Sequence, residues 1–98
     1  MNLKKSQFEI VGKTTDNKLI INGIYRIHET FGVPLSEIFL FLIKNNSIPN
    51  WIELYKDMRK AKINHSIILL RLQDEIDDSY GKEWSEEIVK TLKKIFEI

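Results

Sequence analysis

The chain has 98 residues, 43% hydrophobic and 30% charged, with a net charge of +1. This is the composition of one ordinary globular domain, and its balanced charge creates no overall field to recruit nucleic acid or an anionic membrane. The lack of cysteine removes disulfides, thiolate nucleophiles and sulfur-ligated zinc, and the longest apolar run, Ile38 to Ile43, is far short of the roughly 20 residues that cross a bilayer.

Residues 1–15 read as an N-terminal arm, a strand or disordered, ahead of a single helical domain over 16–98. A first helix is expected from Asp16 or Asn17, both good caps, to Phe31, because Ile20, Ile24, Ile27 and Phe31 recur at helical spacing. Gly23 inside this segment opposes the assignment by up to about 1 kcal/mol relative to alanine. The same stretch has a second reading. Gln7 to Val11 and Lys18 to Asn22 flank the turn formers of Gly12 to Asn17 and can pair as a β-hairpin. Gly32 then offers a C-cap, and Val33-Pro34 prevents continuation.

Pro34 suits the first turn of a second helix running to about Asn45. Leu35, Ile38, Phe39 and Leu42 form one stripe, with Leu40, Phe41 and Ile43 off it. Asn45-Asn46-Ser47 reads as a polar turn. The third helix opens at Pro49-Asn50 and runs to about Lys62, with Ile48, Trp51, Ile52, Tyr55 and Met58 inward and Glu53, Lys56, Asp57, Arg59 and Lys60 outward. Asn64 can cap a fourth, Ile67 to about Ser79, whose core side is Ile68, Leu69, Leu72 and Ile76; Ile67 and Leu70 extend beyond that stripe. Tyr80-Gly81 closes it. The fifth starts at Ser85, with Glu86 and Glu87 in its first turn and Ile88, Val89, Leu92, Ile95 and Phe96 as its face. The expected fold class is therefore all-α, a compact, irregular bundle of four to five short helices, with a short N-terminal strand or hairpin as the alternative at its start.

Catalytic constellations do not occur in the sequence. There is no Gly-x-Ser-x-Gly elbow and no phosphate-cradling glycine run, so neither an enzyme nor a cofactor is expected. His28 and His65 lack metal-ligand spacing, and no metal is expected; His28 suits a half-buried, hydrogen-bonded place and His65 a solvent-facing helix start. The acidic run Asp74, Glu75, Asp77 and Asp78 lies at a helix C-terminus, where it opposes the macrodipole. It reads as a solvated face partly compensated by Arg71 and Lys82. A docking patch for a basic partner or a weak cation site is the sharper alternative.

Two binding functions remain. The second and fourth helices are apolar around more than the roughly 100° that a surface helix buries. Unless these two simply pack against each other at the centre, Leu40, Phe41, Ile67 and Leu70 are left as interface for a protein partner or a second copy of the chain. A cytoplasmic, non-enzymatic adaptor or inhibitor is the first expectation. Richness in Ile, Lys and Asn fits a phage- or mobile-element-encoded product of a low-GC bacterium. The alternative is a small helix-turn-helix-like DNA-binding regulator, with Lys56, Arg59, Lys60 and Lys62 on phosphates and Asn64 and His65 leading a recognition helix. The apolar residues Ile67 to Leu70 and the acids that follow oppose it, because a phosphate backbone repels such a face.

Overall fold

A computed structural model describes residues 3–97; Met1, Asn2 and Ile98, the first two part of the expected arm, lie outside the described residues. After a 3-10 turn over Lys5–Gln7 come β1 (Glu9–Lys13), β2 (Leu19–Asn22), α1 (Ile24–Phe31), α2 (Leu35–Lys44), β3 (Ser47–Pro49), α3 (Trp51–Lys60), α4 (His65–Ser79) and α5 (Lys82–Phe96). The strands form one sheet in the order β1-β2-β3, with β1 antiparallel to β2 and β2 parallel to β3. The fold is thus mixed α/β, although helix-dominated, and the all-α expectation is corrected.

The physical reason lies in the turn between β1 and β2. The Thr14 backbone N–H donates to the Lys18 carbonyl at 2.8 Å, and the Lys18 N–H donates back to the Thr14 hydroxyl at 3.0 Å. That hydroxyl also meets the Asp16 carboxylate, and Asn17 takes a left-handed conformation. Side chains of this type satisfy backbone groups locally and compete with a helix start. The expected helix from Asp16 or Asn17 is therefore cut to Ile24–Phe31, and Phe31 ends exposed. Its beginning is fixed by Gly23, the N-cap at φ 88°, a conformation that side-chain-bearing residues avoid.

The Ser47–Pro49 segment, whose start was expected to be a polar turn, adds to β2 as a parallel edge strand. Leu19 N–H donates to the Asn46 carbonyl at 3.1 Å and Asn50 N–H to the Ile21 carbonyl at 2.8 Å. Pro49, which cannot donate to a ladder, is tolerated at such an edge. Asn50 then caps α3 by accepting from the Glu53 N–H, and its amide donates to the Asn22 side chain at 2.9 Å. The Glu53 carboxylate accepts the Gly23 N–H at 3.0 Å. Burial pushes that carboxyl above the usual glutamate range. Strand β2 and the starts of α1 and α3 are thereby tied at one junction.

Phe39, Ile38 and Leu42 of α2, Leu54 and Met58 of α3, and Ile68, Leu72 and Ile76 of α4 fill the centre with Ile24, Ile27 and Leu92. Three details of the helices differ from expectation. On α3 the inward place goes to Leu54, which is completely buried, while Ile52 turns outward. Helix α5 begins at Lys82, three residues before the expected Ser85. Ser85 is fully buried, and its hydroxyl is shared between the Asp77 carboxylate on α4 and the Lys82 carbonyl. The residue expected to start the helix is a polar pin between α4 and α5. Ile95, expected on the core face of α5, is exposed.

Candidate functional site

Successive residues of a strand point to opposite faces. The Ile20-Ile21 pair on β2 therefore divides: Ile21 enters the core, and Ile20 lies on the other face of the sheet. Parallel pairing sets Ile20 beside Ile48, a buried residue that stands outside the contiguous core. Antiparallel pairing sets Gly12 on the other side of Ile20. A Cβ at Gly12 would stand 3.7 Å from the Ile20 side chain, an ordinary van der Waals contact.

Two helices wall this outer face. The start of α3 contributes Trp51 and Ile52, and α5 contributes Trp84, Ile88 and Leu92 from one side of its first three turns. The result is an apolar groove of about 410 Å³, rimmed by Thr14, Asn50, Glu87 and Thr91. Ile52 and Trp84 are 38% and 36% exposed. Both are large apolar groups on the wall of an open concavity rather than isolated surface residues.

An aromatic run joins the groove to the core. Trp51 meets Phe39 edge-on at 5.6 Å and Tyr80 edge-on at 5.7 Å, and Tyr80 continues to Trp84 at 5.9 Å. The Trp51 indole nitrogen is buried without a conventional hydrogen-bond partner among the described residues. The Tyr80 hydroxyl donates to the Ser47 carbonyl at 3.0 Å, holding β3 beneath the groove.

Burial pushes Tyr80 well above the ordinary tyrosine value of 10.0. The folded state therefore favours the neutral phenol: this contribution is complete below pH 10.0 and is lost as the pH climbs past it. Replacing Tyr80 by Phe is expected to cost about 1 kcal/mol at neutral pH through the lost hydrogen bond. The variant should also lose stability less steeply in alkali. Denaturant melts across the alkaline range check both signs.

The expected interface residues lie on α2 and α4. Leu40 on α2 and Ile67 and Leu70 on α4 are exposed, Leu70 by 63%. Phe41 is half-buried and stacks on Phe8 at 5.6 Å. Of the acids, Asp74 and Asp78 face solvent, whereas Asp77 holds Ser85 and Glu75 is half-buried. Among the described residues, no three His, Asp or Glu side chains converge in a metal-binding group.

Lys56, Arg59, Lys60 and Lys62 are exposed at the end of α3, with Lys60 near Asp57 and the Arg59 guanidinium donating to the Ile63 carbonyl at 3.3 Å. Asn64 and His65 are already engaged inside the chain. Asn64 caps α4 by accepting from Ile67 N–H at 3.0 Å. His65 donates Nε2–H to the Glu97 carboxylate at 2.9 Å and joins the Tyr55 hydroxyl through Nδ1 at 2.7 Å. The solvent-facing place expected for His65 is thus a clamp linking α3, α4 and the end of α5. His28 donates Nδ1–H to the Val33 carbonyl at 2.8 Å, a structural bond.

Ile20, Ile48, Ile52 and Trp84 were not recognised as a site from the sequence. The available signals were the Ile20-Ile21 doublet and the tryptophan following Tyr80-Gly81. Comparison with family models, curated proteins and solved structures found no match. Among the described residues, no helix is long and apolar enough to cross a membrane.

Proposed function

We propose that this chain is a protein-binding module, an adaptor or inhibitor, whose docking site is the apolar groove between the outer sheet face and α5. The carrying observation is the open apolar concavity itself, lined chiefly by apolar residues, among them Ile20, Ile48, Ile52, Trp84 and Ile88. Its volume lies within the roughly 300–1,000 Å³ common for binding pockets, enough for an apolar anchor of a partner segment. Filling it removes apolar surface from water on both sides, at about 25 cal/mol per Å². Tryptophan is among the residue types that dominate binding energy at such positions.

Peptides selected from a random library on the native protein provide the test. Ile52→Glu places a carboxylate on the groove wall at an already exposed position, so folding should survive. Selected peptides are expected to bind this variant at least about tenfold more weakly, and Leu70→Glu, outside the groove, with unchanged affinity. Equal binding to Ile52→Glu and native protein contradicts the proposal. Loss with Leu70→Glu alone would move the site to the outer face of α4.

A further inference from the structure

Among the described residues that line the groove, Glu87 alone carries a charge. It is exposed and forms no ion pair among the described residues. A helix offers a glutamate its readiest partners three and four residues away. Lys90 instead lines a separate hollow with Gln73 of α4 and with Glu86. The Thr91 hydroxyl donates to the Glu87 backbone carbonyl at 2.8 Å, not to its carboxylate. Glu83, one turn earlier, is exposed and has the same sign. The helix macrodipole favours Glu83 in the first turn of α5, but that benefit fades beyond it and does not account for Glu87. Lys18 lines a recess that shares only Trp84 with the groove, and it faces Asp16 at 3.9 Å.

The groove thus presents an apolar cavity with one unneutralised negative charge on its α5 side. Resting on the groove as the docking site, we infer that its occupant is a basic-apolar segment of another protein. A large aliphatic or aromatic anchor fills the cavity, and a lysine or arginine beside it meets Glu87. Trp84 favours the same cation. It lies three residues before Glu87, lines the same groove and is 36% exposed, and an indole face attracts ammonium and guanidinium groups. An acidic flank would be repelled at this position, so the charge selects among apolar segments of similar size.

Two selections from one random peptide library, on the native protein and on Glu87→Lys, test this at about 50 mM salt, where screening is weaker than at physiological strength. Native-selected peptides should place lysine or arginine beside a large apolar residue, and Glu87→Lys should select aspartate or glutamate there. A native-selected peptide should bind Glu87→Lys about three- to tenfold more weakly, the range for an exposed charge pair turned repulsive. Changing its basic residue to glutamate should weaken binding to the native protein and restore binding to Glu87→Lys. Glu86→Lys makes the same charge change outside the groove and should leave affinity unchanged. Circular dichroism establishes that the variants are folded. Ile52→Gln, which makes the groove wall polar without altering charge, separates the two ways of failing. Peptides weakened by Ile52→Gln that lack a basic residue, or that ignore Glu87→Lys, overturn the inference and leave the groove as the site. So does equal weakening by Glu86→Lys and Glu87→Lys. Peptides indifferent to Ile52→Gln overturn the groove itself, and the occupant with it.

Discussion

Phe39→Ala is expected to remove about 3–5 kcal/mol of stability, the range for truncating a fully buried phenylalanine. Small domains have only about 5–15 kcal/mol in total, so the variant should be marginal. A fall in melting temperature of roughly 15 °C or more follows for a chain of this size. The position explains the size of the effect. Phe39 is completely buried on α2 and meets the rings of both Trp51 and Tyr80. Its loss leaves a cavity behind the groove and frees the two rings that hold the inner wall in place. Near-ultraviolet circular dichroism should therefore weaken even below the melting transition. Thermal and denaturant melts supply the magnitude. A loss under about 1 kcal/mol would mean that the surrounding helices collapse onto the site and that Phe39 does not organise the aromatic run.

Gly23→Ala is expected to destabilise the protein by about 1–2 kcal/mol, the usual penalty for holding a residue with a Cβ in the left-handed region. The sign is the informative part. A continuous helix from Asp16 or Asn17 to Phe31 would have Gly23 in its interior, and alanine there would stabilise by about 1 kcal/mol. In the folded protein Gly23 is instead the N-cap of α1 at φ 88°, and an added Cβ would come 3.4 Å from the Arg26 guanidinium. The Glu53 carboxylate, which accepts the Gly23 N–H, would be disturbed if the backbone relaxed toward helix. One urea titration of the alanine variant thus distinguishes hairpin-then-helix from uninterrupted helix by direction alone.

What could be read from the sequence follows the range of the interactions involved. The buried stripe of α2 and the caps supplied by Gly32, Asn50 and Asn64 are set by residues within a turn or two of one another, and periodicity exposes them. The hairpin remained an open alternative because Ile20 and Ile24 satisfy helical spacing as well as Ile20 and Ile21 satisfy a strand with two apolar faces. Strand β3 gave no local signal at all. Three residues ending in proline become a strand only because β2 lies parallel alongside, and that partner is reached through two intervening helices.

The groove escaped for the same reason. Residues 48–52, from β3 into α3, are consecutive, but Ile20 of β2 and the α5 residues that complete the walls are distant in sequence and meet them only in the folded chain. Helical spacing with Ile48 and Tyr55 places Ile52 on the core side; one step of helix phase, with Leu54 taking the buried place, makes it a wall of the groove. The expected interface residues Leu40, Ile67 and Leu70 are exposed, but so is Ile52. Only the folded chain distinguishes apolar residues on convex helix faces from those that line a concavity.

The measurement closest to the central claim is the broadening of isoleucine δ1-methyl resonances by a soluble paramagnetic co-solute, with and without a groove-selected peptide. In the free protein, Ile52 and Ile20 should broaden while the fully buried Ile38 and Ile76 stay sharp. Bound peptide should protect Ile52 and Ile20 and leave the exposed Ile67 as accessible as before. If Ile20 is as shielded as Ile38 in the free protein, or if peptide protects Ile67 instead, the groove is not the docking site.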